Sequence, residues 1–244
     1  MKCSQMNRRM MRLNKFIAGT GITSRRKAEE LILQGRVTVN NKTITDLAFT
    51  VDPGQDEISL DGERISVRKH LYYLLNKPAG VVTTTSDEKN RKTVVDLIKT
   101  NERIYPVGRL DYNTTGVLIL TNDGDFSQIL THPGNKVPRE YDVKLDRPLQ
   151  PDDRDKLLKG IYLKGTKGKF IKITAAGRSN FSQVRVTAVE GRNHFVKNMF
   201  GALGYTVLVL DRVSFAGIKA DILNGKYRKL TDSEIRVITE KYGR

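Results

Sequence analysis

Pro106-Val107-Gly108-Arg109-Leu110-Asp111-Tyr112-Asn113-Thr114-Thr115-Gly116-Val117-Leu118-Ile119-Leu120-Thr121-Asn122-Asp123-Gly124 is the most informative stretch of the chain. Its apolar run, Val117 to Leu120, is bounded on both sides by turn-forming residues and reads as a buried strand. Asp111 stands between a Gly-Arg-Leu turn and that strand. A carboxylate beside a dry core is a poor surface decoration and a useful chemical group. Taken alone, Asp111 is also a good turn aspartate at a strand end, and Asp123-Gly124 reads as a plain turn.

The composition narrows what such a carboxylate could act on. The 244 residues carry 43 Lys or Arg against 27 Asp or Glu, a formal net charge of +16. That surplus points to a polyanionic partner, with nucleic acid ahead of an anionic membrane surface. No apolar stretch approaches the roughly 20 residues of a membrane span. The basic opening, Met1 to Met11, lacks the apolar core of a secretion signal, so the expectation is a cytoplasmic protein. Cys3 is the single cysteine and His70, His132 and His194 are the three histidines, too few for a disulfide framework and sparse for a zinc site. The sequence therefore leads to no metal.

The first segment, residues 11–67, reads as a small α/β domain. Leu13, Phe16 and Ile17 give a short helix its apolar face, and Gly19-Thr20-Gly21 stops it. Ser24 is a candidate N-cap for a second helix over 25–34, with Ala28, Leu31 and Ile32 facing the core. Gly35 closes it; Val37-Thr38-Val39 is a strand, Asn40-Asn41 its turn, and short strands continue to Ile65. Residues 61–70 are polar and read as a linker. Residues 1–36 hold nine Lys or Arg and two Glu. Arg12, Lys15, Arg25, Arg26, Lys27 and Arg36 fall around the helix starts and the helix–strand turn, where phosphates can be met. A solvated helix face is the plainer account of the same charges.

The remainder, residues 68–244, gives strands at 71–76, 80–84, 117–121, 141–145, 170–174, 183–189 and 207–213. Helices are expected at 93–99, 126–130, 151–159 and 194–203. Their irregular order favours an α+β fold over a doubly wound sheet. Phosphate-binding Gly-rich loops, Gly-x-Ser-x-Gly elbows and His-Glu-x-x-His helices are absent from the sequence.

Two sets of motifs carry a resemblance. Arg-Leu-Asn-Lys-Phe-Ile from Arg12, Ser-Arg-Arg-Lys-Ala-Glu-Glu-Leu-Ile from Ser24, and Gly-Arg-Val-Thr-Val-Asn-Asn-Lys from Gly35 resemble the S-four-type RNA-binding module. In that family the face bearing Arg12, Lys15, Ser24, Arg25, Arg26, Lys27 and Arg36 lies against structured RNA. Asn76-Lys77-Pro78-Ala79-Gly80, the block around Asp111, Arg139-Glu140-Tyr141-Asp142-Val143 and the run from Glu190 to Phe200 follow in order. Together they resemble the ribosomal RNA pseudouridine synthases of the RsuA/RluB/RluE/RluF group, over about residues 11–235.

The resemblance implies an S-four-like domain joined to a catalytic domain on a mixed, mostly antiparallel sheet. It implies a cofactor-free isomerase that converts a uridine of ribosomal RNA to pseudouridine. Asp111 matches the catalytic aspartate, acting as nucleophile at C1′ or as the base that takes a ribose proton. Tyr141 matches the tyrosine that stacks on an extruded uracil and assists at C5, although its alternation with Val143 also suits a strand core residue. Lys197 matches the basic partner of the aspartate, and Leu210 the apolar residue packed under the tyrosine. Arg109 is assigned to a phosphate contact or to bracing the Asp111 loop, and Thr114, Thr115 and Gly116 to shaping it. Phe195 and Asn198 depart from the family pattern, where a polar and a basic residue are common. A non-catalytic RNA-binding assembly factor is the rival reading, and a base-removing enzyme a third. A monomer is the simpler expectation.

Overall fold

The computed structural model describes residues 10–176 and 181–243; Cys3 and most of the basic opening lie outside the described residues. The chain divides into two compact units, one running to residue 70 and including 101–103, the other comprising 71–100 and 104–244.

In the first unit, β1 (Met11–Arg12) leads into α1 (Leu13–Gly19), followed by α2 (Arg25–Leu33). Strands β2 (Val37–Val39), β3 (Lys42–Thr43), β4 (Thr50–Val51), β5 (Ile58–Leu60) and β6 (Glu63–Arg64) complete it. β1 pairs with β4, and the other four form an antiparallel sheet in the order β3-β2-β5-β6. Leu13, Phe16, Ile17, Ala28 and Ile32 pack on Val37, Val39 and Ile58, so the helical periodicity and the strand alternation meet in one core. Asn40 and Asn41 both have positive φ, giving the tight turn expected there. The 61–70 segment is more than a linker. Asp61 and Gly62 make a second tight turn, and Glu63–Arg64 pairs back onto Ser59 and Leu60.

The second unit holds β7 (Tyr72–Lys77), β8 (Tyr105–Pro106), β9 (Thr115–Thr121), α3 (Gly124–Thr131), β10 (Arg139–Leu145) and α4 (Pro151–Lys159). It continues with β11 (Ile161–Leu163), β12 (Thr166–Gly168), β13 (Lys172–Ala175), β14 (Gln183–Ala188) and α5 (Phe195–Gly201). β15 (Val207–Phe215), β16 (Ile218–Lys219), β17 (Tyr227–Lys229) and α6 (Asp232–Tyr242) close it. The main sheet runs β13-β14-β10-β15-β9-β7-β17, with β8 on β9 and β16 on β15. Every pairing in it is antiparallel except β15 with β9. The fold is therefore α+β on a mixed, mostly antiparallel sheet, as the irregular element order implied.

Strand β9 contains the apolar run Val117 to Leu120. Leu118 and Leu120 join one core cluster, Val117 and Ile119 the other. Both faces of the strand are covered, so alternation is lost and its central run, Val117 to Leu120, is apolar throughout. Each such side chain contributes roughly 1.5–3 kcal/mol by burial.

Two expectations fail nearby. The 80–84 segment forms only an isolated bridge, Val82 to Thr93, and 93–99 contains a short 3-10 turn, Val95–Leu97, in place of an α-helix. In the 80–84 segment the Gly80 amide and the Thr83 hydroxyl bond to the Asp111 loop, while Val82 bonds to Lys92 and Val94. Asp123, expected as a plain turn, is the N-cap of α3 and accepts from the amides of Asp125 and Phe126.

Candidate active site

The Asp111 loop, residues 110–114, is held from behind by β7 and the residues after it. Lys77 is fully buried, and its ammonium donates to the carbonyls of Pro78, Asp111, Tyr112 and Thr114 at 2.9–3.2 Å. The Gly80 amide donates to the Tyr112 carbonyl at 3.0 Å. The Thr83 hydroxyl donates to the Leu110 carbonyl at 2.7 Å and accepts from the Leu110 amide at 3.3 Å. Burial lowers the Lys77 pKa to about 8, and the nearby Asp111 charge works in the opposite direction. A lysine in an Asn-Lys-Pro turn looks like a surface charge in sequence; here it is the fastener of the loop.

Where the loop enters β9, Gly116 has φ +103 and passes the backbone of Arg212, so any Cβ would collide with the Arg212 carbonyl oxygen. Gly116 is the register partner of Arg212 where β9 runs parallel to β15 in the main sheet. This close approach brings the loop beside Leu210 and Arg212, and only glycine permits it.

The Asp111 carboxylate is held at both oxygens. Lys197 Nζ donates to Oδ2 at 2.6 Å, and His194 Nε2 lies 3.2 Å from Oδ1. Both partners come from the start of α5, where His194 has a left-handed backbone, φ 52 and ψ 26, as the residue before the helix. Lys197 follows three residues later, so the two side chains share one side of the first turn. Asp111 is about a quarter exposed, screened from bulk water yet reachable.

A cavity of about 150 Å³ opens at this carboxylate, lined by Arg109, Tyr141, Arg192, His194, Leu210 and Arg212 among others. Tyr141 is 9 % exposed and packs in the same core cluster as Leu210. Tyr141 pairs with Arg212 across β10 and β15, while Leu210 pairs with Val143. Both expectations for Tyr141 therefore meet in one residue: a core strand tyrosine that also lines the cavity. Arg109 is exposed at the cavity and makes no ion pair among the described residues.

Two arginines that the sequence reading passed over also line the cavity. Arg139 donates to the Val137, Val189 and Leu130 carbonyls, and Arg212 to the Val117 carbonyl at 2.7 Å. Both are buried, and their guanidinium groups lie 5.0 and 4.7 Å from the centre of the Phe215 ring. Burial pulls the Arg139 pKa down, Tyr141 opposes that, and the neighbouring Arg212 charge adds to it. Strand parity was the available signal: Arg139 alternates with Tyr141, and Arg212 with Leu210, on the buried side.

The departures at the start of α5 have structural outcomes. Phe195 is buried, edge-on to Phe170 at 5.8 Å, with Arg192 over its ring at 5.2 Å. Asn198 is exposed and donates to the Asn193 carbonyl, pinning the turn before the helix.

In the first unit, Arg12, Arg25 and Arg26 are exposed, and Lys15 is half-buried. Ser24 is the N-cap of α2, accepting from the Lys27 amide at 3.3 Å. Lys27 pairs with Glu30 at 2.6 Å, and Arg36 pairs through two hydrogen bonds with Asp61.

The Asp111 carboxylate thus sits between Lys197 and His194 at a cavity walled by Tyr141. Residues 71–202 match the profile of the RNA pseudouridylate synthase family, and residues 11–58 match the S4 domain. The chain belongs to the RNA pseudouridylate synthase family and is an isomerase. It is 40% identical over 232 residues to the ribosomal large subunit pseudouridine synthase B of Bacillus subtilis, covering 93% of this chain and 95% of that one. It is 35% identical to the dual-specificity RNA pseudouridine synthase RluF of Escherichia coli, covering 92% of this chain and 77% of that one. A crystal structure of a pseudouridylate synthase superposes with a TM-score of 0.67 at 31% identity, covering 93% of this chain and 99% of that one. Among the described residues, no helix is long and apolar enough to cross a membrane.

Proposed function

We infer that this enzyme converts a uridine of ribosomal RNA to pseudouridine, with residues 11–67 holding folded RNA and residues 68–244 carrying out the reaction in the cytoplasm. The observation that carries the reading is the Asp111 carboxylate, fixed by Lys197 at 2.6 Å at the mouth of a cavity walled by Tyr141. A uridine taken out of the RNA stack would place its ring against Tyr141 and its ribose beside Asp111. The N1–C1′ bond breaks, the uracil turns, a C5–C1′ bond forms, the C5 proton leaves to solvent, and the freed N1 takes up a proton from solvent. Asp111 serves either as nucleophile at C1′ or as base toward the ribose, and both routes use the same held carboxylate. Lys197 supplies the counter-charge, and fixing the carboxylate in register lowers the cost of reaching the transition state. Arg109, exposed at the cavity, meets a phosphate of the extruded nucleotide or braces the Asp111 loop, and Leu210 shares the core cluster of Tyr141. A single copy of the chain contains all of these groups.

Asp111→Asn keeps the shape of the side chain and removes its charge. It should abolish tritium release from 5-tritiated uridine in transcribed ribosomal RNA while RNA affinity stays within about threefold. Tritium release at the wild-type rate by that variant would overturn the role of Asp111. Tritium released with no change at all in the RNA product would point instead to a different chemistry at C5. Mapping pseudouridine in total ribosomal RNA from a strain lacking the gene identifies the target nucleotide.

A further inference from the structure

Strands β11 and β12 form a hairpin outside the main sheet, and its composition differs from its neighbours. Residues 160–172 contain four lysines, Lys164, Lys167, Lys169 and Lys172, and no acidic residue. All four are exposed, and among the described residues none of their ammonium groups makes an ion pair, although the Glu190 carboxylate accepts from the Lys169 backbone amide at 3.4 Å. The hairpin also carries Tyr162, 73% exposed, the most exposed aromatic ring among the described residues. Ile161 and Leu163 turn the other way and pack on the core, so Tyr162 faces outward by strand parity. Its cross-strand partner is Lys167. The turn between them, Lys164-Gly165, has φ values of +51 and +80, the tight geometry that matches strand twist.

An isolated two-stranded hairpin is marginal in water. This one is fastened to the cavity. Arg192, which lines the cavity, donates to the carbonyls of Thr166 and Lys167 at 3.3 Å each. Gly168 lies so close to the Arg192 guanidinium and the Phe195 ring that a Cβ would clash with both. The hairpin's outer face is thus held in fixed register with the site around Asp111.

We propose that the β11–β12 hairpin is a second RNA-contacting surface, with Tyr162 stacking on an unpaired base near the extruded uridine and Lys164, Lys167 and Lys169 meeting the adjacent phosphates. An exposed ring beside unpaired ammonium groups suits single-stranded RNA because every base offers a face to stack on and every linkage a negative charge. The proposal rests on the assignment of the cavity as the uridine site.

The test uses the full-length chain carrying Asp111→Asn, so that binding is read without turnover, and a synthetic RNA stem–loop with an unpaired uridine in its loop. Tyr162→Ala should weaken binding about tenfold, and Tyr162→Phe, which keeps the ring, should bind within about twofold of the parent. Replacing Lys164, Lys167 and Lys169 together by Gln should lower the slope of log affinity against log salt by about 2. With Asp111 restored, the same changes should raise KM about tenfold and shift kcat less than threefold. Equal binding by parent, Tyr162→Ala and the triple variant would overturn the proposal and leave the hairpin to a partner other than RNA. Equal weakening by Tyr162→Ala and Tyr162→Phe would overturn the stacking role. Because these affinities need no catalysis, they stand whether or not tritium release confirms the role of Asp111.

Discussion

Positive charge is used in two opposite ways, one seen on the surface of the first unit and the other in the interior of the second. In the first, Arg12, Arg25 and Arg26 stand in water, and Arg36 and Lys27 pair with exposed carboxylates. In the second, Lys77, Arg139 and Arg212 are buried and bind backbone carbonyls. Surface cations cost little to fold and are free to meet phosphate. Buried cations carry a desolvation penalty that several carbonyl contacts must offset. The net charge of +16 thus combines a binding surface with an internal scaffold, and only burial tells them apart.

The sharpest way to break this contrast is at Lys77. Lys77→Met keeps the bulk of the side chain and leaves the carbonyls of Pro78, Asp111, Tyr112 and Thr114 without their shared donor. Displacing a reacting group by about an ångström can cost on the order of 100-fold in rate, so kcat should fall by about that factor. Stability should fall by about 1–3 kcal/mol, the cost of buried acceptors left unsatisfied. Steady-state kinetics and urea unfolding of the same variant check both. Wild-type kcat would show that the ammonium is a packing element with no hold on the loop.

The same residue gives a signed pH effect. Its folded pKa of about 8 lies below the ordinary 10.5 because burial disfavours the charged form. Below about pH 8 both folded and unfolded chains carry the charge, and folding bears its full burial cost. Between about 8 and 10.5 the unfolded chain holds more protons than the folded one, so this group's contribution to stability rises with pH. The wild type should therefore gain roughly 1–3 kcal/mol over Lys77→Met across that window, a range that discounts the full shift for solvent screening. Paired urea titrations at pH 7.5 and about 10 read the difference, and a wild-type advantage that shrinks as pH rises would reverse the assigned direction.

How much of this was legible in the sequence follows from the same distinction. The strand before Asp123 is readable as an apolar run between turn residues, and the pairing of Asp111 with Lys197 and the Tyr141 wall are readable through the motifs that carry the family resemblance. Lys77 was quoted as part of a motif without a role, since nothing local separates a buried lysine from a solvated one. His194 beside Asp111 has no sequence signal, because the resemblance that assigns Lys197 gives His194 no role and the contact exists only where α5 packs near the loop. Arg139 and Arg212 had the right parity, but their charge argued for the surface. Helix α6 had a readable signal, the Thr231-x-x-Glu234 capping box, and the structure forms it in full. The β11–β12 hairpin turns on Lys164-Gly165, a weaker turn signal than Asn-Gly, and the sequence gives no strand expectation there.

The smallest effect lies on the surface side of the comparison. Arg25→Ala, Arg26→Ala and Lys27→Ala together should weaken RNA binding about tenfold at moderate salt and leave kcat at saturating RNA nearly in place. The salt slope need not fall by the full amount for three phosphates. Lys27 already spends part of its charge on Glu30, at 2.6 Å on an exposed helix face, so its release of counterions is partial. A decrease of about 2 in the slope is expected, against nearly 3 if all three cations met phosphate freely. An undiminished slope would move the RNA-binding face away from the start of α2. A fall in kcat at saturating RNA would show that this face also governs how the uridine is presented, and the separation of binding surface from internal scaffold would no longer hold.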